Sequence, residues 1–399
     1  MDDWLTLRAR THADHPAVVA EGRTVTYAEL DSALEPVDGP VLEPARGTHR
    51  FVVRLWSAWR AGVPFVPLDP RLAEPPGVPS VAGNVRTVVF TSGTSGCPKP
   101  VALTAANHEA SAIASAWNLG VAPDDRWLCC LPLHHVGGLA ILHRCAIYGT
   151  TAVLHDGFDA RAVAAALESG EATLVSLVAT MLRRLRDGGL GETPGLRAAL
   201  IGGGPVPRDL LEWAAARGLP ALQTYGMTET ASQVATLPAS DAIAHHGSAG
   251  RPLPGVELCI GDGGEILVRG PMVATGALAA DGWLHTGDRG HLDEDGFLHV
   301  EGRIDDVVVT GGENVAATEV EDALLSHPAV ADAAVAGRPS AEWGEAVTAW
   351  VVLATAVADH ELAAHCRGRL APFKVPKAFV RVDELPRNAA GKLVRSRLT

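Results

Sequence analysis

Apolar residues recur along most of the chain in short runs separated by stretches of helical spacing. The runs "TVVF" (87–90), "RWLCCLPL" (126–133), "TAVLH" (151–155), "ATLVSLV" (172–178) and "RAALIGG" (197–203) predict strands. "RAVAAALESG" (161–170) and "PRDLLEWAAARG" (207–218) predict helices stopped by glycine. Upstream, "TVTYAEL" (24–30) predicts a strand entering a helix, and "FVVRLWSAWRAGVPFVPLDP" (51–70) a helix ended by Gly62 and Pro64 before a short apolar strand. "RLAEPPGVPSVAGN" (71–84) is rich in proline and glycine and predicts a loop. Strands alternating with helices in this way predict parallel β/α layers.

Near residue 250 the pattern changes. "GVELCIGDGGEILVRG" (255–270) and "GFLHVEGRIDDVVVTGG" (296–312) predict hairpins of short strands turned by Gly and Asp, and so a small β-rich subdomain. Beyond "EGRIDD" an α+β pattern starts: helix 316–328, strands 330–339 and 345–353, helix 359–371. The expected organisation is an α/β chain with a large domain over 1–304 and a small α+β domain over 305–399.

Composition narrows the function classes. A chain of 399 residues, 47% hydrophobic and 20% charged, is long enough for two or more domains. Lys and Arg number 33 against 46 Asp and Glu, a net charge of -13, which disfavours nonspecific attraction to nucleic acid or an anionic membrane. No apolar run approaches the ~18 residues of a spanning helix. The N-terminal "MDDWLTLRARTHADHP" lacks the basic and apolar regions of a signal peptide. The six cysteines form no CxxC pair, so free thiols in a reducing cytoplasm are expected.

Candidate chemistry begins at "TSGTSGCPK", Thr91 to Lys99, between the run "TVVF" and a helical pattern. Its glycines, hydroxyls and backbone N–H groups suit an anion. It is not a Walker loop, because the spacing from Gly93 to Lys99 is wrong and Pro98 precedes the lysine. On these residues alone, a phosphate loop and a solvated turn both remain open.

The order of further motifs changes that balance. "LPLHHVGGL" (131–139), "IGGGPVP" (201–207), "TYGMTETASQ" (224–233), "WLHTGD" (283–288), "GRIDDVVVTGGENVAATEVE" (302–321) and "PRNAAGK" (386–392) follow the loop. Together they resemble the ordered motifs of the acyl-adenylate-forming superfamily, over roughly residues 15–395. "LPLHHVGGLAILHRCAIYGTTAVL", "SLVATMLRRL", "LIGGGPVPRDLLE" and "VVTGGENVAATEVE" are most similar to its o-succinylbenzoate-activating branch, which serves menaquinone biosynthesis.

The resemblance implies the fold of adenylate-forming enzymes, with a mobile C-terminal domain. It also implies a reaction in which ATP and a carboxylate give acyl-AMP and pyrophosphate, and CoA then takes the acyl group as a thioester. The phosphate loop would be Thr91, Ser92, Gly93, Thr94, Ser95 and Gly96, with Lys99 as an electrostatic helper. Gly202, Gly203 and Gly204 would line the adenine pocket and Tyr225 flank the base. Thr228 would donate to the α-phosphate and Glu229 would hold Mg²⁺, a hard ion suited to carboxylate oxygen. Asp288 would accept from the ribose hydroxyls, with Arg303 beside it. Lys392 would be the catalytic cation of adenylation. Asp305 would be the hinge, and Gly311 and Gly312 would shape the CoA tunnel after rotation.

His135 would lie beside the acyl group. The adjacent histidines do not read as a metal site, since neighbouring side chains diverge and no third ligand is spaced to help. A substrate with a second carboxylate calls for a cation, and Arg144 and Arg183 are candidates. Three positions depart from the family pattern: Pro100 stands where glycine is usual, Ser95 where threonine is usual, and His134 where an aromatic is usual. Other aryl- or acyl-CoA ligases, carrier-loading adenylating enzymes and a non-catalytic nucleotide-binding homologue remain alternatives. The partners expected are small molecules, with no nucleic acid and no membrane insertion.

Overall fold

The computed structural model describes residues 3–71, 77–92, 98–387 and 393–398. The chain divides into two compact units, Met1–Leu258 with Val268–Leu284, and Cys259–Leu267 with His285–Thr399.

The first unit opens with α1 (Trp4–Thr11), β1 (Pro16–Ala20), β2 (Arg23–Thr26) and α2 (Tyr27–Ser32). Next come β3 (Val41–Pro44), α3 (His49–Ala61), β4 (Phe65–Leu68), β5 (Val85–Ser92), β6 (Pro98–Thr104) and α4 (Ala105–Leu119). A regular alternation follows: β7 (Arg126–Cys129), α5 (Val136–Tyr148), β8 (Thr151–Leu154), α6 (Ala160–Glu168), β9 (Leu174–Val178), α7 (Ala179–Asp187), β10 (Ala198–Gly202), α8 (Arg208–Ala216) and β11 (Ala221–Met227). It closes with β12 (Ser232–Leu237) and β13 (Ser248–Pro252). These strands lie in the order β2-β1-β8-β7-β9-β10-β11-β12-β13. From β1 to β11 all neighbours are parallel, and β2, β12 and β13 pair antiparallel at the flanks. A separate sheet runs β3-β4-β5-β6.

The predicted helix at 51–61 shows why local sequence suffices there. Thr48 caps α3 by accepting from Phe51 N–H at 3.3 Å, and Gly62 ends it at φ +73°. Its buried face is Phe51, Val52, Leu55, Trp56 and Trp59, the spacing of an amphipathic helix.

Two expectations are corrected. The stretch Thr91–Lys99 does not lead directly into a helix, because β6 begins at Pro98 and pairs antiparallel with β5, from Ser92 opposite Pro98 to Val85 opposite Thr104. β6 is the edge strand, where alternate N–H groups need no ladder partner. Pro98 and Pro100 are two residues apart and share one alternation, so Pro100 is accommodated there. "GFLHVEGRIDDVVVTGG" is likewise not one hairpin. It splits at a 3₁₀ turn, Ile304–Asp306, preceded by Gly302 at φ +138°.

In the second unit, β14 (Glu257–Ile260), β15 (Glu265–Arg269), β16 (Leu284–Leu292) and β17 (Leu298–Arg303) are successive neighbours. β18 (Val307–Thr310), β19 (Glu313–Ala316), α9 (Ala317–Leu325), β20 (Val330–Ser340), β21 (Gly344–Leu353), α10 (Asp359–Arg367) and β22 (Ala378–Arg381) complete it. Their strands run β19-β18-β21-β20, with β22 also on β21. Gly311 and Gly312, at φ +59° and +85°, make the two-residue turn between β18 and β19 that only left-handed residues allow. Val308, Val315, Val320, Leu324, Val335, Val347 and Leu362 form this unit's core.

Among the described residues no helix is long and apolar enough to cross a membrane. Cys129, Cys130, Cys145 and Cys366 are buried free thiols.

Two histidines sit deep in the first unit. His143 lies among Trp4, Trp56 and Trp59, with ring centroids 6.4, 6.0 and 5.1 Å away, and 4.0 Å from His108. His108 Nε2 is 2.7 Å from Thr87 Oγ1, whereas neither nitrogen of His143 has a partner. Burial pushes His108 down to about 3, and burial with the His108 and Arg144 charges pushes His143 well below the ordinary 6.5. Both stay neutral in the fold, while the unfolded chain takes up protons as pH falls through 6.5. Stability should therefore be full above that value and decline below it, by about 2 kcal/mol at pH 5 for His108, with His143 acting in the same direction. Urea midpoints at pH 7.5 and 5 measure this decline, and His143→Met should make it shallower. Equal midpoints at the two pH values would contradict it.

Candidate active site

The strand order locates the crevice before any side chain is considered. From β7 the chain moves through α5 to β8 on one side, and from β8 through α6 to β9 on the other. β7 and β9 are thus the switch point of a parallel sheet, where ligands bind outside the carboxyl ends of the strands. His134 and His135 follow β7, Gly202–Gly204 end β10, and Tyr225–Glu229 end β11.

Gly202 is opposite Val178 of β9, and Ile201 opposite Gln223 of β11. A Cβ on Gly202 would come 3.1 Å from Thr224 Oγ1, and one on Gly203, at φ +79°, 3.2 Å from Val178 Cγ1. Gly203 and Gly204 are exposed, so the strand end offers backbone amides at its surface. Tyr225 is half-buried beside them.

The single 3₁₀ turn Thr228–Thr230 carries Glu229. Its carbonyl accepts from Ala274 N–H at 2.8 Å. Its half-buried carboxylate has no partner among the described residues, although its neighbours are closely tied. A carboxylate left free in this way fits a hard divalent cation that shares its remaining ligands with phosphate. Among the described residues no three His, Cys, Asp or Glu side chains form a metal cluster.

The strands β5 and β6, paired antiparallel, flank the predicted phosphate loop. Thr91 is opposite Lys99, and Thr91 Oγ1 donates to the Lys99 carbonyl at 3.3 Å. Ser92 ends β5 and Lys99 is exposed, whereas Gly93, Thr94, Ser95 and Gly96 lie outside the described residues. Val101 and Leu103 of β6 pack with Val136, Ala231 and Ala274 in one buried cluster. That cluster joins the loop strand, the residue after His135 and the turn bearing Thr228 and Glu229.

His135 is the N-cap residue of α5 without a side-chain cap bond, and its buried Nε2 has no partner. Burial, with His134 adding to it, pushes its pKa down to about 4, so the ring is neutral at pH 7. The two imidazole centroids are 4.3 Å apart. His134 Nε2 lies 3.7 Å from Asp69, which Arg71 binds at 3.0 and 2.7 Å and holds at about 2.

Arg144 is buried on α5, 5.4 Å from the Trp127 ring centre and 3.5 Å from Ser111 Oγ. Arg183 is half-buried on α7.

In the second unit Asp288 of β16 is opposite Arg303 of β17. Arg303 Nη1 donates to Asp288 Oδ1 at 3.0 Å and to the Thr286 carbonyl at 2.8 Å. Asp305 is the middle residue of the turn Ile304–Asp306. Lys392 lies outside the described residues. The residues flanking its segment are anchored: Arg387 binds Asp332 at 2.7 Å, and Arg395 binds Glu321 at 2.7 Å and Asp306 at 2.9 Å.

Sequence reasoning missed Thr230, Asn107 and Ser111, all buried. Thr230 closes the turn, accepting from Met227 N–H at 3.1 Å. Asn107 Nδ2 donates to the Pro271 and Val273 carbonyls at 2.9 and 3.0 Å, fixing the segment that holds Glu229. The signal lay in α4, where Asn107, Ser111 and Ser115 recur at i, i+4 and i+8 on the inner face while Ile113 and Trp117 are exposed.

Residues 73–278 match the AMP-binding enzyme family and 319–392 its C-terminal domain, and the chain belongs to this family. The 2-succinylbenzoate–CoA ligase of Bacillus licheniformis is 48% identical over 334 residues, 79% of this chain and 70% of the relative. The solved o-succinylbenzoate CoA synthetase (MenE) of Bacillus subtilis, in complex with the acyl-adenylate intermediate OSB-AMP, matches with TM-score 0.90 at 34% identity, covering 100% of this chain and 98% of that one. The same synthetase in complex with ATP and magnesium ion matches with TM-score 0.90 at 34% identity over 100% and 99% of the two chains. The α/β fold expected from the resemblance is the fold of these structures.

The glycines of the crevice differ in what they tolerate. A Cβ on Gly226 would lie 2.1 Å from the Ser232 carbonyl oxygen and 2.5 Å from Gln233 Cα, both backbone. Gly226→Ala should cost about 3 kcal/mol or more, because β11 and β12 must separate. Gly204 has open space, so Gly204→Ala should stay within about 0.5 kcal/mol of the parent. Thermal denaturation separates the two, and AMP titration of Gly204→Ala then tests whether its backbone meets the nucleotide.

Proposed function

We propose that the protein activates o-succinylbenzoate with ATP and transfers the acyl group to CoA. The observation that carries this is convergence. His135, Gly202–Gly204, Tyr225, Thr228 and Glu229 all follow or end strands at the carboxyl side of one parallel sheet, and the buried cluster of Val101, Leu103, Val136, Ala231 and Ala274 joins β6, which carries Lys99, to them. The 48% identical ligase and the OSB-AMP complex support the choice of acid.

In the first step a carboxylate oxygen attacks the α-phosphorus, the bond to the bridging oxygen breaks, and pyrophosphate leaves. Two anions must approach, so donors and cations are needed where charge gathers. The hydroxyls of Thr91, Ser92, Thr94 and Ser95 and the loop amides take the β- and γ-phosphates, with Lys99 nearby. Thr228 donates to the α-phosphate. Gly202–Gly204 and Tyr225 hold the base, and Asp288, oriented by Arg303, accepts from the ribose. Glu229 holds Mg²⁺, which neutralises phosphate charge when bound. Lys392 supplies the cation at the α-phosphate and bridging oxygen.

In the second step the CoA thiol sulfur attacks the acyl carbon, its proton is lost, and AMP departs with the electron pair of the broken C–O bond. Neutral His135, with an unpartnered nitrogen, can sit against the acyl group without repelling or trapping charge. Residues 305–399 turn about Asp305 between the steps, exchanging Lys392 for the Gly311–Gly312 turn. Arg144 and Arg183 are the cations nearest in sequence to the acyl-side motifs. Free thiols and a CoA product both suit a reducing cytoplasm.

Pyrophosphate release and thioester formation over a panel of acids test this reading. o-Succinylbenzoate should be turned over, with benzoate and fatty acids at least about 100-fold poorer in kcat/KM. Preference for either of those would reject the assigned acid. Lys392→Ala should lower acyl-AMP formation by about 10²–10³, while thioester formation from supplied acyl-AMP stays near the parent rate. Equal loss in both steps would reject the division of roles.

A further inference from the structure

The turn that presents Glu229 is held in an unfavourable backbone conformation. Ala231 has φ +52° and Ser232 φ +138°, and only one other described non-glycine residue, Glu21, has positive φ. Side chains resist this region, so something must hold the turn. Thr230 does so from inside: its hydroxyl, fully buried, lies 2.7 Å from the Ser232 carbonyl and 3.0 Å from that of Met227.

A second restraint comes from α4. Ser111 Oγ donates to the Ala231 carbonyl at 3.2 Å. The same oxygen accepts from Arg144 Nη2 at 3.5 Å. Arg144 is 3% exposed and, among the described residues, makes no ion pair and has an Nε without a partner. A buried guanidinium normally faces a carboxylate, because an unpaired charge in the interior is costly. Here the groups around it are the Trp127 ring, the Ser111 hydroxyl, Tyr148 and the neutral His108 and His143, none of them a carboxylate. A hydroxyl that accepts from a cation has its own proton directed away and made more acidic, which strengthens its donation to a carbonyl.

We propose that Ser111, polarised by Arg144, is a positioning residue for Glu229. The relay runs Arg144, Ser111, Ala231 carbonyl, and it fixes the left-handed residue two places beyond Glu229. One helical turn earlier on α4, Asn107 holds the Pro271–Val273 segment, whose next amide, Ala274, fixes the carbonyl of Glu229. The inner face of α4 therefore secures both sides of the cation-binding carboxylate. This gives Arg144 a partner other than the substrate carboxylate expected of it. The inference rests on the assignment of Mg²⁺ to Glu229 made above.

The test is a Mg²⁺ titration of pyrophosphate release at saturating ATP and o-succinylbenzoate, beside AMP binding measured without Mg²⁺. Ser111→Ala should raise the Mg²⁺ half-saturation roughly tenfold, the ratio equivalent to one hydrogen bond of ~1.4 kcal/mol, and leave AMP affinity within about twofold. Arg144→Met, which removes the buried charge and keeps the hydroxyl, should shift it the same way by about threefold. It reads the same relay if Ser111→Ala fails to fold. An unshifted Mg²⁺ titration in folded Ser111→Ala, or a parallel loss of AMP affinity, overturns the proposal. Glu229→Gln separates the two levels. If it leaves the Mg²⁺ titration unchanged, the cation assignment itself fails. If it shifts the titration and Ser111→Ala does not, only the relay fails.

Discussion

The contact on which the rest of the first unit's chemistry depends is small and apolar. Val101, Leu103, Val136, Ala231 and Ala274 pack together, and all but Ala274 stand within a few positions of a residue proposed for the site. Val101 and Leu103 follow Lys99, Val136 follows His135, and Ala231 follows Glu229. In the proposed function each of those polar groups must stay available to a ligand, so it cannot also hold its neighbours by direct attraction. Burial of aliphatic side chains, at about 1.5–3 kcal/mol for each large one, supplies the cohesion without consuming a donor or acceptor. The polar inner face of α4 then sets the backbone of the Glu229 turn more finely than apolar contact can.

A protein of net charge -13 that binds a polyanion needs local rather than global electrostatics. The described residues offer neutral donors and the Glu229 carboxylate, which has no partner among them. Strand-end glycines expose amides, and burial holds His135 neutral at about 4. Asp288 is oriented by Arg303 at 3.0 Å and so presents an already compensated carboxylate. Arg144 is buried, with its Nη2 3.5 Å from Ser111 Oγ.

Much of this was legible in the chain. Gly62 after an apolar helix, the glycine stops of α6 and α8, and the β/α alternation all state local rules that the fold obeys. The ordered motifs carried the family, because no other arrangement of those residues was needed to recognise it. What escaped was non-local. β6 was hidden because Pro98 and Pro100 argue against a strand unless it is an edge, and edge position is decided by β5 and not by β6 itself. The split of "GFLHVEGRIDDVVVTGG" was hidden because β17 and β18 look alike in sequence and differ only in which strands they join. Ser111 was hidden because a serine in a helix carries no mark of the strained carbonyl it serves.

The distance of Lys392 from every other motif raises a further physical question, which is how a residue so near the end of the chain can be placed at all. Arg387 and Arg395 bracket its segment, and the two feet meet through an isolated bridge between Arg387 and Leu393 and through Val394 N–H to the Pro386 carbonyl at 2.8 Å. Arg395 is held by Glu321 of α9 and by the Val335 carbonyl of β20. Glu321 is buried enough that desolvation raises its pKa despite that partner, so losing Arg395 would leave an uncompensated acid in the interior. The same guanidinium also reaches Asp306, the neighbour of Asp305. One cation thus ties the tail that bears Lys392 to the 3₁₀ turn assigned as the hinge. The segment is anchored by the residues around which its domain is proposed to turn, and its loop need only be short.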